Sequence, residues 1–163
     1  MEKLLPQSIE AECGTLGSII IDPEAILQVA HFLDAQDFYR DAHRKIYDAI
    51  VHLHNAGGPA DFITLCNELE RRDELGEVGG ASYITSLINY VPTSGNIEHY
   101  AEIVSQASQL RRAIHAAGQT AAEAYQPDAN ASDVLSKAQQ RYSDIALRNQ
   151  RKDGFTSSAQ LMV

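Results

Sequence analysis

The sequence predicts an all-α protein, a small multi-helix globular head followed by an antiparallel helical hairpin. Three observations predict it. Apolar residues recur at three- and four-residue spacing through most of the chain, as an amphipathic helix requires, for example at Ile9, Cys13, Leu16 and Ile20. Helix breakers crowd the first part, at Pro23, Gly57-Gly58-Pro59, Gly79-Gly80 and Pro92, and no strong one follows until Pro127. Charge divides near the same place. Residues 1–100 carry 6 Lys+Arg against 16 Asp+Glu, a net of −10, and residues 101–163 carry 7 against 6, a net of +1, which together recover the total of −9.

The elements follow in order. Ser8 caps a first helix whose early turns hold Glu10 and Glu12, where the helix dipole favours acids. Asp22-Pro23 restarts the chain, with Asp22 as cap and Pro23 at the first helical position, and Ile26, Ala30 and Leu33 continue the apolar stripe. A third helix spans Asp41 to His54, with Ala42, Ile46, Ala49, Ile50 and Leu53 inward, and Gly57-Gly58-Pro59 stops it. A fourth starts near Asp61 or Thr64 and carries Leu65 and Leu69. Gly79-Gly80 precedes a short helix with Tyr83, Ile84, Leu87 and Ile88.

The segment Val91 to Val104 is a helix start with its breaker attached. Pro92 pushes Val91 out of the α region. Asn96 caps the next helix, on which Ile97, Tyr100, Ala101 and Val104 repeat at helical spacing. With only Gly118 as a weak point, that helix runs about 30 residues, roughly 45 Å. Pro127 to Ala131 is a turn, Asn130 or Ser132 caps a second long helix, and Val134, Leu135, Ala138, Tyr142 and Ile145 line it. Two consecutive helices joined by a short polar turn form a hairpin. The domain reading is therefore a head over 1–95, a hairpin over 96–149 and the start of a linker over 150–163. A projecting hairpin cannot bury both faces of both helices alone. It either folds back on the head or packs against a second copy, and small residues such as Ala113, Ala117 and Ala121 favour the second.

Several function classes find no residues to support them. No G-x-x-x-x-G-K-[ST], G-x-S-x-G, H-E-x-x-H or C-x-x-C occurs. Hence no catalytic, cofactor-binding or metal-ligating set is assigned, and this chain by itself is not expected to be an enzyme. His52 and His54 lie two apart, so they point in different directions on a helix. They, with His43, His99 and His115, read as solvated or helix-terminal imidazoles. Glu68, Glu70, Asp73 and Glu74 read as a solvated helix end, and Arg111-Arg112 as a surface pair. Arg148, Arg151 and Lys152 fall in the last helical turn and the linker. The acidic first part is a poor surface for a phosphate backbone, so direct DNA binding is not expected. Cys13 and Cys66 read as buried reduced thiols. With no secretory signal at Met1-Glu2-Lys3-Leu4-Leu5-Pro6 and no membrane-spanning apolar run, a cytoplasmic location is the natural reading.

Four blocks carry a family resemblance. They are Pro6-Gln7-Ser8-Ile9-Glu10-Ala11-Glu12 with Leu16-Gly17; Phe38-Tyr39 with His43-Arg44-Lys45-Ile46-Tyr47; Leu75-Gly76-Glu77-Val78-Gly79-Gly80 with Tyr83-Ile84; and Val91 to Val104 with Leu110-Arg111-Arg112. In order and approximate spacing, the chain to about Ile145 resembles the N-terminal domain of DnaB-type bacterial replicative DNA helicases. The resemblance implies an oligomerisation and partner-binding domain acting at the replication fork, with six copies forming a collar as a trimer of dimers. It implies primase docking on the hairpins and, in some bacteria, a helicase loader. It further implies a linker leading to a RecA-like motor domain, where ATP and Mg belong, so that this chain is a fragment ending before any motor motif at Leu161-Met162-Val163. Tyr100, Tyr125, Val134, Leu135 and Ile145 are the expected partner-binding anchors. The competing readings are a standalone helical adaptor or loader-like regulator of the replisome, and a nucleic-acid-binding module using the basic end.

Overall fold

The computed structural model describes residues 3–91 and 95–160, the stretch 149–160 as backbone alone. Six α-helices follow one another: α1 (Ile9–Ile21), α2 (Asp41–Asn55), α3 (Phe62–Arg71), α4 (Gly80–Tyr90), α5 (Ile97–Ala124) and α6 (Ala131–Gln160). Two short 3-10 turns, Pro23–Gln28 and Ala35–Asp37, link α1 to α2, and no strand occurs among the described residues. Contacts divide the chain into two compact units, Gln7–Ser108 and a second one made of the chain start to Pro6 with Gln109 onward. The division falls inside α5, because Ile97, Ala101 and Val104 on its first turns are buried in the head core.

In the head, α1 is the central element. The Ser8 hydroxyl accepts the Ala11 N–H at 3.2 Å and starts it, as the sequence predicts. Burial, however, is not confined to the single stripe expected: Glu12, Thr15 and Ser18 are buried along with Leu16, Ile19 and Ile20. Thr15 and Ser18 satisfy themselves by donating to the carbonyls of Ala11 and Gly14, at 2.8 and 2.6 Å. Two glycines let neighbours close in. A Cβ on Gly17 would lie 2.2 Å from the Leu87 carbonyl oxygen of α4, and one on Gly14 2.8 Å from the Tyr100 ring of α5.

The stretch after Pro23 departs from expectation. It forms a 3-10 turn instead of an α-helix, with the Asp22 carboxylate accepting the Glu24 N–H at 3.3 Å. With three residues per turn, Ile26 and Val29 share a face. Val29 and Leu33 are buried while Ala30, expected inward, is exposed.

Glu68, read as part of a solvated helix end, and His43, read as a solvated or helix-terminal imidazole, are in fact buried, as is Glu12 in the first turn of α1. Glu12 on α1 accepts the backbone N–H groups of Tyr39 at 2.8 Å and Arg40 at 3.4 Å. Arg40 provides no side-chain cap for α2, so a carboxylate from another helix serves the donors where the chain enters it. Glu12 also accepts His43 Nδ1 at 2.7 Å, and His43 Nε2 lies 2.6 Å from the Tyr83 hydroxyl of α4. His43 is 0% exposed. Its partners are 31 and 40 residues away, so no local pattern announces them. Glu68 is similarly enclosed: Arg71 donates to it at 2.6 Å and Arg72 at 2.9 Å, and Arg72 also reaches Asp48 of α2 at 2.8 Å. Hydrogen bonds from the two arginines, Arg71 foremost, hold the Glu68 carboxyl down to about 2. Glu70 and Asp73 of the same run are exposed, as expected.

The remaining head elements follow the sequence closely. Asp61 caps α3 by accepting the Thr64 N–H at 2.9 Å, which keeps its carboxyl below the usual range. Gly79, at φ +109, makes the left-handed entry to α4. Val91 is extended at φ −115 and ψ 133, as a residue before proline should be, and Pro92 itself lies outside the described residues. Cys13 and Cys66 are half-buried free thiols rather than fully buried ones, and burial pushes both up from their ordinary values. No helix among the described residues is long and apolar enough to cross a membrane.

Gly17→Ala is expected to destabilise the head by about 2 kcal/mol, since the added methyl overlaps a backbone oxygen that no side-chain rotation can move; urea denaturation followed by circular dichroism measures it. Glu68 has a lowered folded-state pKa, so its contribution to stability is complete above the ordinary carboxylate range and is lost as pH falls from about 4.5 toward 2. Glu68→Gln should therefore flatten the acid limb of the stability profile in that window. A variant whose profile runs parallel to the parent's would rule this out.

Candidate partner interface

The second unit contains the hairpin. α5 continues from Gln109 to Ala124, and the Asn130 side chain accepts the Asp133 N–H at 3.1 Å to start α6. Arg141 of α6 donates to the Thr120 hydroxyl at 3.2 Å and to the Glu123 carboxylate, both on α5. These partners lie 21 and 18 residues earlier, on the far side of the turn, which is the pairing of two antiparallel helices. The other Glu123 oxygen, Oε2, is buried without a hydrogen-bond partner. Arg111, read as half of a surface pair, instead donates to the Pro6 carbonyl at 2.8 Å and ties the chain start to α5. α6 does not end at the polar run that reads as a linker. It continues to Gln160, since the run contains no proline and a single interior glycine costs only about 1 kcal/mol. Arg148 is thus inside the helix and not in its last turn.

On α6, Val134, Ala138, Arg141, Ile145 and Arg148 are half-buried at alternating four- and three-residue steps. That is the stripe from which Arg141 reaches α5. Apolar side chains elsewhere on the hairpin remain open: Leu110 is 56% exposed, Ile114 48%, Tyr125 87%, Leu135 67%, Tyr142 44% and Leu147 50%. Leu110 and Ile114 are four apart on α5, and Leu135 and Tyr142 seven apart on α6, so each pair shares a helix face.

The five expected anchors are not brought together. Tyr125 and Leu135 are exposed near the turn, whereas Val134 and Ile145 belong to the half-buried stripe of α6. Tyr100 lies in the head unit, packed on its core with its ring over Gly14. Leu110, Ile114 and Leu147 were not among those anchors; the four-residue step from Leu110 to Ile114, continued by Ala117 and Ala121, is the signal that marks the first two. No cluster of three or more His, Cys, Asp or Glu among the described residues is arranged to hold a metal ion.

This arrangement can be set beside known proteins. The family model described as DnaB-like helicase N terminal domain matches residues 4–106. The chain belongs to that family. It is 43% identical over 147 residues to the replicative DNA helicase DnaC of Bacillus subtilis, an alignment that covers 90% of this chain and 32% of the relative. The chain thus spans about a third of the length of that curated relative. Among solved structures, the N-terminal domain of DnaB helicase from Mycobacterium tuberculosis superposes with a TM-score of 0.82 at 38% identity, covering 86% of this chain and 99% of that one. A second, described as a DnaB-like replicative helicase and its interactions with primase, gives a TM-score of 0.72 at 25% identity over 85% of this chain and 31% of that one. The family match ends at residue 106, so it covers the head and leaves most of the hairpin to the longer alignments.

Gly118 lies in the middle of α5, where an added Cβ would meet no atom within 4 Å. Gly118→Ala should therefore stabilise the hairpin by about 1 kcal/mol through helix propensity alone. A thermal midpoint equal to or below the parent's would contradict this.

Proposed function

We propose that this chain is the N-terminal oligomerisation and partner-binding domain of a hexameric replicative DNA helicase acting at the replication fork in the cytoplasm. Its functional parts are a head whose core takes in the first turns of α5, a hairpin of the rest of α5 with α6, and a stretch from about residue 150 that leads toward a linker. ATP and Mg would serve a motor domain lying elsewhere in the whole protein. The observation that carries the reading is the set of exposed aliphatic and aromatic side chains on a two-helix hairpin, in a member of this family. Monomeric helices do not ordinarily leave Leu, Ile and Tyr open on successive turns unless another surface covers them.

Two occupants are proposed. A second copy of the chain covers the Leu110 and Ile114 face, where Ala117 and Ala121 permit close helix approach, and builds dimers that assemble as a trimer of dimers. Primase, through its helicase-binding domain, takes the end near the turn, with Tyr125 and Leu135 as aromatic and aliphatic anchors. A solved relative at 25% identity is described together with primase, which supports that choice of partner. A helicase loader is a further partner of the same class of surface.

Sedimentation equilibrium of the chain at high micromolar concentration should give dimers or larger species, and Ile114→Asp should shift them toward monomer by at least tenfold in Kd. A monomer at every concentration would refute self-assembly through the hairpin. Titration calorimetry with the primase domain should detect binding that weakens tenfold or more with Tyr125→Ala or Leu135→Asp. An absence of heat together with an unchanged mass would remove the primase assignment.

A further inference from the structure

The strongest unexplained feature of the head is the polar chain that runs through its core. Glu12 of α1 is 1% exposed and accepts the backbone N–H groups of Tyr39 and Arg40, and a carboxylate can meet His43 Nδ1, 2.7 Å away, only as an acceptor. His43 therefore donates from Nδ1. Its other nitrogen, Nε2, faces the Tyr83 hydroxyl at 2.6 Å, with the two rings nearly parallel at an interplanar angle of 15°. The charged or titratable groups around His43 are Glu12 and Cys13 from α1, Arg40 from the segment entering α2, and Tyr83 from α4. Arg40 Nη1 donates to the Tyr83 oxygen at 3.5 Å, and the Tyr83 side chain is only half-buried.

We propose that this chain is a proton-tolerant clasp, in which Tyr83 reverses its hydrogen bond when His43 takes up a proton, so that α1, α2 and α4 stay joined in both states. With a neutral imidazole, Tyr83 donates its hydroxyl proton to Nε2 and accepts from Arg40. On protonation, Nε2–H becomes the donor. The Tyr83 oxygen accepts it beside the Arg40 N–H, and the hydroxyl proton turns outward to solvent, which the half-buried Tyr83 reaches. The new positive charge lies against the Glu12 carboxylate. No buried donor or acceptor is orphaned in either state. A phenylalanine at 83 would keep the ring but leave Nε2 without a partner, and an unpartnered buried donor costs more on a charged group than a neutral one.

The test compares the parent with Tyr83→Phe by urea denaturation from pH 8 to pH 5. The variant should be less stable throughout, and its folding constant relative to the parent should fall a further five- to tenfold on the acid side. Parallel profiles would overturn the proposal. Nitrogen NMR of His43 in the parent gives a reading that survives if the variant does not fold. It should show a proton on Nδ1 throughout and a second arriving on Nε2 while the head's tertiary signals persist. A proton resident on Nε2 at pH 8, or loss of the tertiary signals as His43 charges, would overturn it.

Discussion

A carboxylate inside the protein organises the head. Glu12 faces inward from the central helix and takes up backbone donors at the entry to α2, while its third partner, His43, leads on to Tyr83 of α4. Removing such a group would take this acceptor from the Tyr39 and Arg40 N–H groups and from the buried Nδ1 of His43, and a buried polar atom left unsatisfied costs about 1–3 kcal/mol. The apolar core around it, with Leu16, Ile46, Ile50, Leu65 and Ile84 fully buried, supplies the driving force but little direction. The polar chain supplies the direction, since it is satisfied in only one relative placement of three helices.

Glycine makes the second constraint. α1 can lie centrally only because Gly14 and Gly17 admit the Tyr100 ring and the α4 backbone at distances that no side chain would permit. The same helix thus combines a charged residue that fixes orientation with two residues that remove bulk. The Glu68 cluster plays a lesser version of this part at the head's periphery, bracketing α2 to α3 through Arg72.

Much of this was legible in the sequence, for physical reasons that differ by element. Helix starts at Ser8, Asp61 and Asn130 could be read because capping is local: the side chain and the N–H it accepts lie three residues apart. The breaker at Gly79 acts locally too. What was not legible depended on distance along the chain or on turn pitch. Glu12 reads only as an acid in an early helical turn because its partners lie 27, 28 and 31 residues away. The stripe after Pro23 failed at Ala30 because the helix ends at Gln28 as a 3-10 turn and the chain beyond it does not keep helical pitch. Of the expected anchors, Tyr125 and Leu135 lie exposed by the turn, while Tyr100, at the same helical spacing as core residues, packs with them.

Arg141 gives the hairpin a property that apolar packing alone would not. Leucine and alanine seams are nearly indifferent to sliding by one helical turn, a shift of about 5.4 Å along the axis. Arg141 meets Thr120 and Glu123 in one alignment only, and Glu123 Oε2 is already buried without a partner. Sliding would strand the rest of that carboxylate and a guanidinium between the helices. The pair behaves as a detent: the two helices are keyed to one register, and every exposed side chain on them is presented at a fixed height from the turn.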